Sequence, residues 1–432
     1  MKSPQRVAVL GGVRIPFARQ NTAYSNASNL DMLTAAIQGV VNRFGLQGQR
    51  LGEVAAGAVL KHSRDANLSR EAALSTDLSP QTPAYDVQQA CATSLQSTLL
   101  VRNKIALGQI ECGIAGGVDS ASDAPIAVND ELRQLILQLN RCKTNGERLR
   151  TLAKFRPGML KPSIPNVNER RTGHSMGEHC EMMVKQWNIS RQAQDELAFA
   201  SHLNAARAYE EGFFDDLLIP FRGLSRDNNL RADTSLEKLA KLAPAFDRTS
   251  GKGTLTAGNS TPLTDGAAAV LLASESWAQA QGHEPQAWLV DVESAAVDFF
   301  GPNAEGLLMA PAHAVPRLLA RNNLTLQDFD YYEIHEAFAG QVLCTLAAWE
   351  NADYCKNNLG LQAPLGGIDR SRLNVNGSSV GLGHPFAATG ARILASTAKK
   401  LAQHRLQTGK NGRTLISICA AGGLGVAAIV EG

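Results

Sequence analysis

Four side chains in this sequence have the types that nucleophilic catalysis needs, although they lie far apart along the chain. Cys91 stands in DVQQACATSLQS, among small and polar neighbours. His384 stands in GHPFAATGAR, Cys419 in CAAGGLG and His335 in HEAF. A thiolate is a strong nucleophile, an imidazole can take its proton, and a second thiol can act as an acid or a base. These residues do chemistry together only if the fold brings them to one place.

The position of Cys91 favours a nucleophile without deciding the matter. A helix is predicted over 91–109, so unsatisfied backbone N–H groups and the helix dipole would stabilise the thiolate over the thiol. The small neighbours leave room for a substrate to approach closely. Free cysteine is also among the most buried residue types, so an ordinary packing role stays open at this point.

The other three residues have structural explanations as well. His384 lies between glycines in a predicted exposed turn, where an imidazole can take a thiol proton and hold an oxyanion, but structured loops also contain histidine. Cys419 ends a predicted strand before a glycine turn whose peptide N–H groups could bind an oxyanion. His335 is followed by Glu336, which orients it or raises its pKa only if the two side chains face each other.

The elements around these residues alternate between strand and helix. Hydrophobic periodicity predicts strands at 7–12, 53–60 and 112–122, helices at 29–44, 91–109 and 383–403, and two strands joined by a glycine turn within 413–432. This alternation is typical of an α/β fold with a mainly parallel sheet. In both halves of the chain a small-residue turn opens a helix, and the next strand carries AGG, at 115–117 and at 421–423. We interpret this as two similar halves, although AGG is a common triplet.

Composition excludes several classes of function. The chain is 44% hydrophobic and 19% charged with a net charge of +2, which argues against non-specific nucleic-acid binding. Seven cysteines without a CxxC pair predict neither a zinc site nor a disulfide framework and favour a reducing compartment. The apolar runs are too short to span a membrane, and MKSPQRVAVLGG has no leader pattern. We expect a cytoplasmic protein without a transmembrane segment.

The motifs together resemble those of the thiolases. DVQQACATSLQS, HSMGE, TLTAGNSTPLTDGAAA, HEAF, NVNGSSVGLGHPFAATGAR and CAAGGLG occur in the family's order and near its spacing, over almost the whole chain. HEAF in place of NEAF and a long insertion at 129–171 resemble the degradative 3-ketoacyl-CoA thiolases, including the bacterial anaerobic type and the trifunctional β-subunit. The resemblance implies a duplicated αβαβα five-layered fold with an inserted loop domain.

The resemblance also implies domain boundaries. The N-terminal half would comprise 1–122 and 254–285, and the C-terminal half would comprise 286–432. The loop domain at 123–253 would cover the active site. It contains the insertion at 129–171, which has ten Lys or Arg and four Asp or Glu. This insertion is expected to cap an acyl tunnel, dock a partner subunit, lie on a membrane surface or serve as a solvated basic cover, and the sequence does not choose among these.

The mechanism that the resemblance implies uses all four candidate residues. His384 would take the proton of Cys91, whose thiolate would attack the 3-keto carbon and become acylated. Cys419 would protonate the leaving acetyl-CoA enolate, whose oxygen would face His384 and His335. The tetrahedral oxygen would face the backbone N–H groups of Cys91 and Ala421. The products would be acetyl-CoA and an acyl-CoA two carbons shorter.

Binding roles also follow from the resemblance. Thr261 would hydrogen-bond the pantetheine arm, Met176 would line the acyl pocket, and Ser175 stands where biosynthetic relatives have histidine. Arg231 would meet the adenine or phosphate end, although Met176 in the core and Arg231 as a solvated charge are the ordinary alternatives. CoA would be a co-substrate, with no tightly bound cofactor and no metal. A homodimer or homotetramer is expected, and a hetero-complex with a hydroxyacyl-CoA dehydrogenase or enoyl-CoA hydratase subunit is compatible with the resemblance.

Three other functions stay open at the level of sequence. A β-ketoacyl synthase shares the doubled fold and uses one cysteine with two histidines, but it does not need an acid/base cysteine, so Cys419 favours a thiolase. A biosynthetic acetoacetyl-CoA thiolase would use the same catalytic residues. A thiolase-like protein that binds acyl-CoA or lipid without turnover would lack at least one catalytic residue, and here all four are present.

Overall fold

The computed structural model describes residues 4–165 and 168–432, so the first three residues and positions 166 and 167 of the basic insertion lie outside it. The strands are β1 Val7–Arg14, β2 Ala18–Arg19, β3 Glu53–Ala56, β4 Ala84–Asp86, β5 Cys112–Asp119, β6 Thr264–Ser274, β7 Ala287–Ala296, β8 Tyr331–Ile334, β9 Arg413–Ala420 and β10 Leu424–Glu431. The helices are α1 Asn29–Phe44, α2 Leu68–Leu74, α3 Thr93–Ala106, α4 Asp130–Arg141, α5 Asn145–Leu152, α6 Met176–Gln186, α7 Arg191–Glu210, α8 Leu236–Ala240, α9 Glu275–Ala280, α10 Ala310–Arg321, α11 Ala339–Glu350, α12 Ala352–Asn357, α13 Ser379–Leu382 and α14 Thr389–Thr408. Short 3₁₀ turns occur at Pro157–Leu160, Arg370–Arg372 and Phe386–Ala388.

The strands form one large mixed sheet. Its order is β4-β3-β5-β6-β1-β7-β10-β9-β8, and β2 pairs with β6. Parallel pairing is confined to the outer strands, where β3 joins β4 and β5 and where β8 joins β9. The central pairs are antiparallel, because β6 returns beside β5 and β10 returns beside β9. The expectation of a mainly parallel sheet is therefore wrong.

Three large hydrophobic cores lie between the five layers, and a small fourth cluster joins Ala198, Leu239 and Val380. Helices α1 and α2 cover the outer face of the N-terminal half of the sheet, and α10 and α11 cover the outer face of the C-terminal half. Helices α3 and α14 lie between the two halves, where they share one core with β1, β6, β9 and β10. The halves join where β1 meets β7, through Ala8 opposite Trp288 and Val9 opposite Ala287. The predicted duplicated five-layered α/β fold is confirmed.

The two AGG triplets are not the equivalent parts of this duplication. The first lies inside β5, where Gly117 lets the backbone of Ala387 approach too closely for a side chain. The second forms the turn between β9 and β10, where Gly422 and Gly423 have φ angles of 79° and 71°. The equivalent features are the buried helices α3 and α14, each of which follows a tight turn. The prediction of two similar halves is therefore right, but the AGG triplets on which it was based are not equivalent.

The inserted region between β5 and β6 consists of two parts that pack differently. Helices α6 and α7 pack against α11 of the C-terminal half. Helices α4 and α5 contact each other, and both have exposed apolar side chains, for example Ile136 at 42% and Leu149 at 69%. The boundaries 123–253 for this domain stay a prediction. Within the described residues, no helix combines the length and apolar character that a membrane crossing requires.

Candidate active site

Cys91 lies in a sharp turn immediately before α3. The preceding residue, Ala90, has a φ of 46°, which is uncommon for a residue with a side chain. The hydroxyl of Thr93 closes the turn, because it accepts from the Gln89 N–H at 2.8 Å and donates to the Ala90 carbonyl at 2.7 Å. Helix α3 therefore begins at Thr93, two residues later than the sequence predicts. The turn places the Cys91 side chain beyond the helix end, where it meets groups from the other half.

The first turns of α3 and α14 touch at a glycine. A Cβ added at Gly390 would lie 2.5 Å from the backbone nitrogen of Leu95. The next residue, Ala391, donates its N–H to Ser94 Oγ at 2.8 Å. This contact holds the turn before α14 against the turn before α3. The sequence places the two turns almost three hundred residues apart, and the fold makes them neighbours.

His384 lies beside Cys91. Its Nε2 is 3.1 Å from the Cys91 Sγ, and its Nδ1 is 2.6 Å from Thr389 Oγ1. Its backbone N–H donates to Thr264 Oγ1 at 2.7 Å, which ties the turn to the start of β6. The side chain is buried, contrary to the expected exposed turn, because the halves close over it. The predicted pairing of base and nucleophile is present in the geometry.

The resting pair is neutral. Burial, followed by the charge of Asp119, raises the pKa of Cys91 to about 12. Burial, followed by the charge of Arg392, lowers the pKa of His384 to about 3. The expectation that the helix end stabilises a thiolate is wrong for the resting site, because desolvation outweighs the nearby N–H groups. The thiol must lose its proton to His384 as it attacks.

Two backbone N–H groups act on the Cys91 sulfur and oppose the rise in the pKa of the thiol. They belong to Cys91 itself and to Ala421. Ala421 begins the glycine turn between β9 and β10, where the next N–H, that of Gly422, donates to Glu169 Oε1 at 2.8 Å. The two N–H groups predicted as oxyanion donors thus converge on the nucleophile. A carboxylate from the inserted region holds one side of the turn.

Cys419 is the penultimate residue of β9, lies opposite Gly425 and is buried. Burial, followed by interaction with Cys91, raises its pKa well above that of a free thiol. Its other sulfur neighbour is Cys180, whose pKa is raised by burial first and then by Cys344 and Cys419. A buried neutral thiol beside the nucleophile can donate a proton to a carbanion formed there. All seven cysteines are free, as the sequence predicts.

His335 completes the cluster. Its ring centroid lies 4.2 Å from that of His384, and its Nδ1 is 2.8 Å from Ser379 Oγ. Its Nε2 is buried, and the described residues provide no hydrogen-bond partner for it. The Sγ of Cys91 and one ring nitrogen from each histidine lie within 4.8 Å of one another. An unpartnered imidazole nitrogen in this place is suited to bind an oxygen of the substrate.

Glu336 hydrogen-bonds to groups other than the ring of its neighbour His335. Its carboxylate accepts from Asn374 Nδ2 at 2.6 Å, from Ser201 Oγ at 2.7 Å and from the Val380 N–H at 3.2 Å. The pKa of His335 is lowered, by burial first and then by His384 and Arg392. The suggestion that Glu336 orients His335 or raises its pKa is therefore wrong. Glu336 fixes the loops around the site.

The same three side chains form a donor set that a thiophilic metal could use. One thiol and two imidazoles are ligands that zinc takes in proteins. The other ring nitrogen of each histidine contacts a hydroxyl, that of Ser379 or Thr389. The sequence prediction of no metal stays a prediction.

A cleft of about 410 Å³ opens beside the HEAF loop. Thr261 and Arg231 both line it, together with Arg19, Lys238, His202 and Phe246. The Thr261 hydroxyl is 3.1 Å from the carbonyl of Ala337, and Lys238 pairs with Asp233 at 2.8 Å. Cationic groups over apolar walls suit a ligand with phosphates at one end and a thin apolar arm. The structure thus brings two of the predicted CoA residues into one cleft.

The other two predicted substrate contacts lie elsewhere. Ser175 caps α6, where its hydroxyl accepts from the Glu178 N–H at 3.3 Å and donates to the Glu178 carboxylate at 2.8 Å. Met176 is partly buried against the core that includes Cys419 and Phe338. Neither is among the residues that line the 410 Å³ cleft. Met176 thus packs on the C-terminal core, and the Ser175 hydroxyl is engaged in the helix cap.

Sequence reasoning missed the polar residues that hold the histidines. Thr389 and Ser379 contact the two rings, and Arg392 donates to Ser379 at 2.9 Å. Asp119 accepts from the N–H groups of Val59, Leu60 and Ala387 and tightens the loops behind Cys91. The first three lie within NVNGSSVGLGHPFAATGAR, so the motif contained them without assigning them roles.

Comparison with known proteins identifies the family. The model of the thiolase N-terminal domain matches residues 7–276, and that of the thiolase C-terminal domain matches residues 284–432. The chain belongs to the thiolase family. Membership favours the thiolase interpretation of the motifs over a β-ketoacyl synthase.

Named thiolases match along the whole chain. The 3-ketoacyl-CoA thiolase of Pectobacterium atrosepticum is 41% identical, with 99% of this chain and 96% of that protein covered. The 3-ketoacyl-CoA thiolase of Photorhabdus laumondii is 40% identical, with 99% and 97% covered. An acetyl-CoA acetyltransferase of Bacillus anthracis superposes with a TM-score of 0.81 at 31% identity and full coverage of both chains. A thiolase of Ascaris suum in complex with coenzyme A superposes at 0.80 with 25% identity and 99% coverage of both.

Proposed function

We propose that this thiolase cleaves 3-ketoacyl-CoA with CoA to give acetyl-CoA and an acyl-CoA two carbons shorter, through an acyl-Cys91 intermediate. The observation that carries the proposal is the convergence of the Cys91 sulfur, the Nε2 of His384 and two backbone N–H groups, with Cys419 beside them. The names of full-length relatives at about 40% identity support the substrate class. This reaction is the last step of a β-oxidation cycle.

The first half-reaction transfers the acyl group to the enzyme. His384 Nε2 takes the Cys91 proton as the sulfur bonds to the 3-keto carbon, and the resulting oxyanion accepts from the N–H groups of Cys91 and Ala421. The carbonyl re-forms and the bond between C2 and C3 breaks, which leaves the acetyl-CoA enolate. The enolate oxygen is held at His335, and Cys419 donates its proton to C2. Acetyl-CoA then departs.

The second half-reaction releases the acyl group. The Cys419 thiolate takes the proton of an incoming CoA thiol, and the CoA sulfur attacks the carbonyl of acyl-Cys91. The same two N–H groups hold the tetrahedral oxygen. Cys91 leaves and regains its proton from His384. The enzyme returns to its neutral resting state. The reverse reaction is a Claisen condensation.

The cleft beside HEAF is the proposed CoA site. Thr261 would contact the pantetheine arm, and Arg231 would meet the phosphate end, supported by their common position in the cleft. Met176 would border the acyl chain from the Cys419 side, with Ser175 fixing the start of its helix. CoA enters and leaves as a co-substrate, and no tightly bound cofactor takes part in the steps proposed.

Assembly and location are further parts of the proposal. We expect a homodimer or homotetramer, and a hetero-complex with a hydroxyacyl-CoA dehydrogenase or enoyl-CoA hydratase subunit that would use the exposed apolar side chains of α4 and α5. Seven free cysteines support a reducing, cytoplasmic location. Size-exclusion chromatography of the chain alone and mixed with such a subunit would test the assembly.

The alternative of a biosynthetic acetoacetyl-CoA thiolase uses the same residues, and acetyl-CoA acetyltransferases are among the similar structures. Steady-state thiolysis of 3-ketoacyl-CoA substrates from four to sixteen carbons separates the two. We expect medium and long chains to have the higher kcat/KM. A higher kcat/KM for acetoacetyl-CoA would contradict the degradative assignment, and turnover by a folded Cys91→Ser variant at the wild-type rate would contradict the mechanism itself.

A further inference from the structure

The two active-site histidines need opposite tautomers. His384 must present an unprotonated nitrogen to Cys91, because it takes a proton. His335 must present an N–H to the site, because an enolate oxygen needs a hydrogen-bond donor. The neutral imidazole carries one proton on either ring nitrogen, and the partner of the other nitrogen decides which. The contacts behind each ring therefore determine its role.

The contact behind His384 fits the role of a base. Its Nε2 accepts from the Cys91 thiol at 3.1 Å, so its proton lies on Nδ1. Nδ1 then donates to the Thr389 hydroxyl at 2.6 Å. Thr389 is the first residue of α14, so the helix that approaches α3 also fixes the tautomer of the base.

The hydrogen bonds behind His335 run in the direction opposite to the one behind His384, towards the ring nitrogen. Arg392 Nη2 lies 2.9 Å from Ser379 Oγ, and a guanidinium only donates hydrogen bonds. Ser379 Oγ therefore accepts from Arg392 and retains its own proton for another partner. The other hydrogen-bond partner found for Ser379 Oγ is His335 Nδ1, at 2.8 Å. If the Ser379 hydroxyl donates its proton to Nδ1, then Nδ1 accepts and the proton of His335 lies on Nε2, a buried atom for which the described residues provide no partner.

We propose that Ser379 and Arg392 are positioning residues that hold His335 as the Nε2–H tautomer, so that this N–H is the donor to the enolate oxygen. The nature of that oxygen rests on the proposed function. The direction of the relay, from Arg392 through Ser379 to His335, rests on the hydrogen-bond geometry alone.

Burial and charge keep the relay in this state. Arg392 is almost fully buried, and its pKa, lowered by burial to about 10, leaves it cationic near neutral pH. Glu333 and Glu336 act on it in the opposite direction and favour its charge. A fixed cation behind Ser379 also opposes a second positive charge on His335, which stays neutral. His335 can then donate one hydrogen bond without becoming an acid.

The tautomer can be measured directly. Protein labelled with ¹⁵N-histidine gives separate long-range proton–nitrogen patterns for the two tautomers, and a His335→Gln variant assigns the signal. We expect Nε2–H for His335 in the wild type and a mixture with Nδ1–H in Ser379→Ala. Ser378→Ala is the matched control, because Ser378 Oγ lies at 3.5 Å from the same guanidinium nitrogen and is not a partner of His335. An Nδ1–H tautomer in the wild type would overturn the proposal.

Kinetics separate the relay from a structural role. Ser379→Ala should reduce thiolysis about 10- to 100-fold through kcat, less than the 100- to 1,000-fold that typically follows loss of a whole oxyanion donor. Acylation of Cys91 by a simple acyl-CoA forms no enolate and should be unchanged, whereas exchange of the acetyl-CoA α-protons should slow with thiolysis. Equal losses in acylation and exchange would count against the relay. Ser379→Thr retains a hydroxyl and should recover exchange.

Failure of the relay and failure of the proposed function give different results. An active wild type with His335 in the Nδ1–H form overturns the relay and leaves the function intact. A wild type with the Nε2–H form but no thiolysis of any 3-ketoacyl-CoA overturns the function and leaves the tautomer assignment intact.

Discussion

At the scale of the residue, the site works with buried neutral groups. Cys91 and His384 are in contact at 3.1 Å, yet burial disfavours the charged form of each. Proton transfer is therefore coupled to attack and does not precede it. In this neutral state the thiol reacts slowly with electrophiles in general. It becomes a nucleophile only when a substrate expels the remaining water and places its carbonyl beside the sulfur.

The resting protonation state predicts how Cys91 reacts with iodoacetamide. With its pKa raised to about 12, the thiolate fraction should rise about tenfold for each pH unit between 6 and 9. Alkylation of the peptide that contains Cys91, followed by mass spectrometry, should show a steady increase in rate without a plateau. The half-exposed Cys142 provides an internal comparison in the same sample. A plateau at neutral pH would reveal a resting thiolate–imidazolium pair and contradict the neutral state.

Cys419 can be separated from Cys91 by function. Cys419→Ala removes the proton donor for the enolate and should lower thiolysis by about 10²- to 10⁴-fold, the usual range for a general acid. Cys91 should still be acylated by acyl-CoA, while deuterium exchange at the acetyl-CoA methyl group should stop. Cys180→Ala is a control at a neighbouring buried thiol. Retained exchange in Cys419→Ala would assign the proton transfer to another group.

At the scale of the element, the site depends on the contact between α3 and α14. A side chain at Gly390 would strike the backbone of Leu95, so Gly390→Ala should push the helices apart. Overpacking of this kind typically costs about 1–3 kcal/mol, and the lengthened Cys91–His384 contact should also reduce kcat. Gly146→Ala in α5, where no described atom lies within 4 Å of the added Cβ, should leave the activity unchanged and should not lower the unfolding midpoint. Equal effects of both substitutions would contradict this role for the helix contact.

Prediction from sequence succeeded for elements with strong periodicity and failed where tertiary contacts decide. Helix α1 has the predicted bounds, because Ser28 caps its start and Gly45 ends it in the left-handed conformation. The start of α3 was misplaced, because the turn at Ala90 is imposed by packing against the other half. The roles of Ser379 and Arg392 were not predictable, because hydrogen-bond partners of buried polar groups have no periodic signal. The expected stabilisation of the Cys91 thiolate was not borne out by the direction of its pKa shift, because that shift depends on burial and burial is a property of the fold.

At the scale of the whole molecule, the inserted region takes part in the site. Glu169 reaches from it to the N–H of Gly422, next to the proposed oxyanion donor of Ala421. The insertion thus stabilises the turn that follows Cys419, in addition to presenting the apolar α4–α5 surface to solvent. That the loop domain at 123–253 covers the active site stays a prediction, and the contact between Glu169 and Gly422 is consistent with it.

This contact can be tested without disturbing the catalytic residues. Glu169→Ala removes the acceptor and should lower kcat about 3- to 30-fold, less than the loss of an oxyanion donor, because the Ala421 N–H remains. Glu169→Gln keeps an acceptor oxygen and should retain most of the activity. The KM for CoA should change little in either variant, because Glu169 is not among the residues that line the proposed CoA cleft. A rise in KM alone would instead place Glu169 on the path of the substrate.

The central claim is that the acyl group is carried by Cys91. The most direct measurement is rapid mixing of the enzyme with a 3-ketoacyl-CoA in the absence of CoA, followed by acid quenching and peptide mass spectrometry. We expect a thioester on the peptide containing Cys91, with the mass of an acyl group two carbons shorter than the substrate, released as acyl-CoA when CoA is added. Turnover with the acyl group on another residue, or with no acyl-enzyme at all, would contradict it.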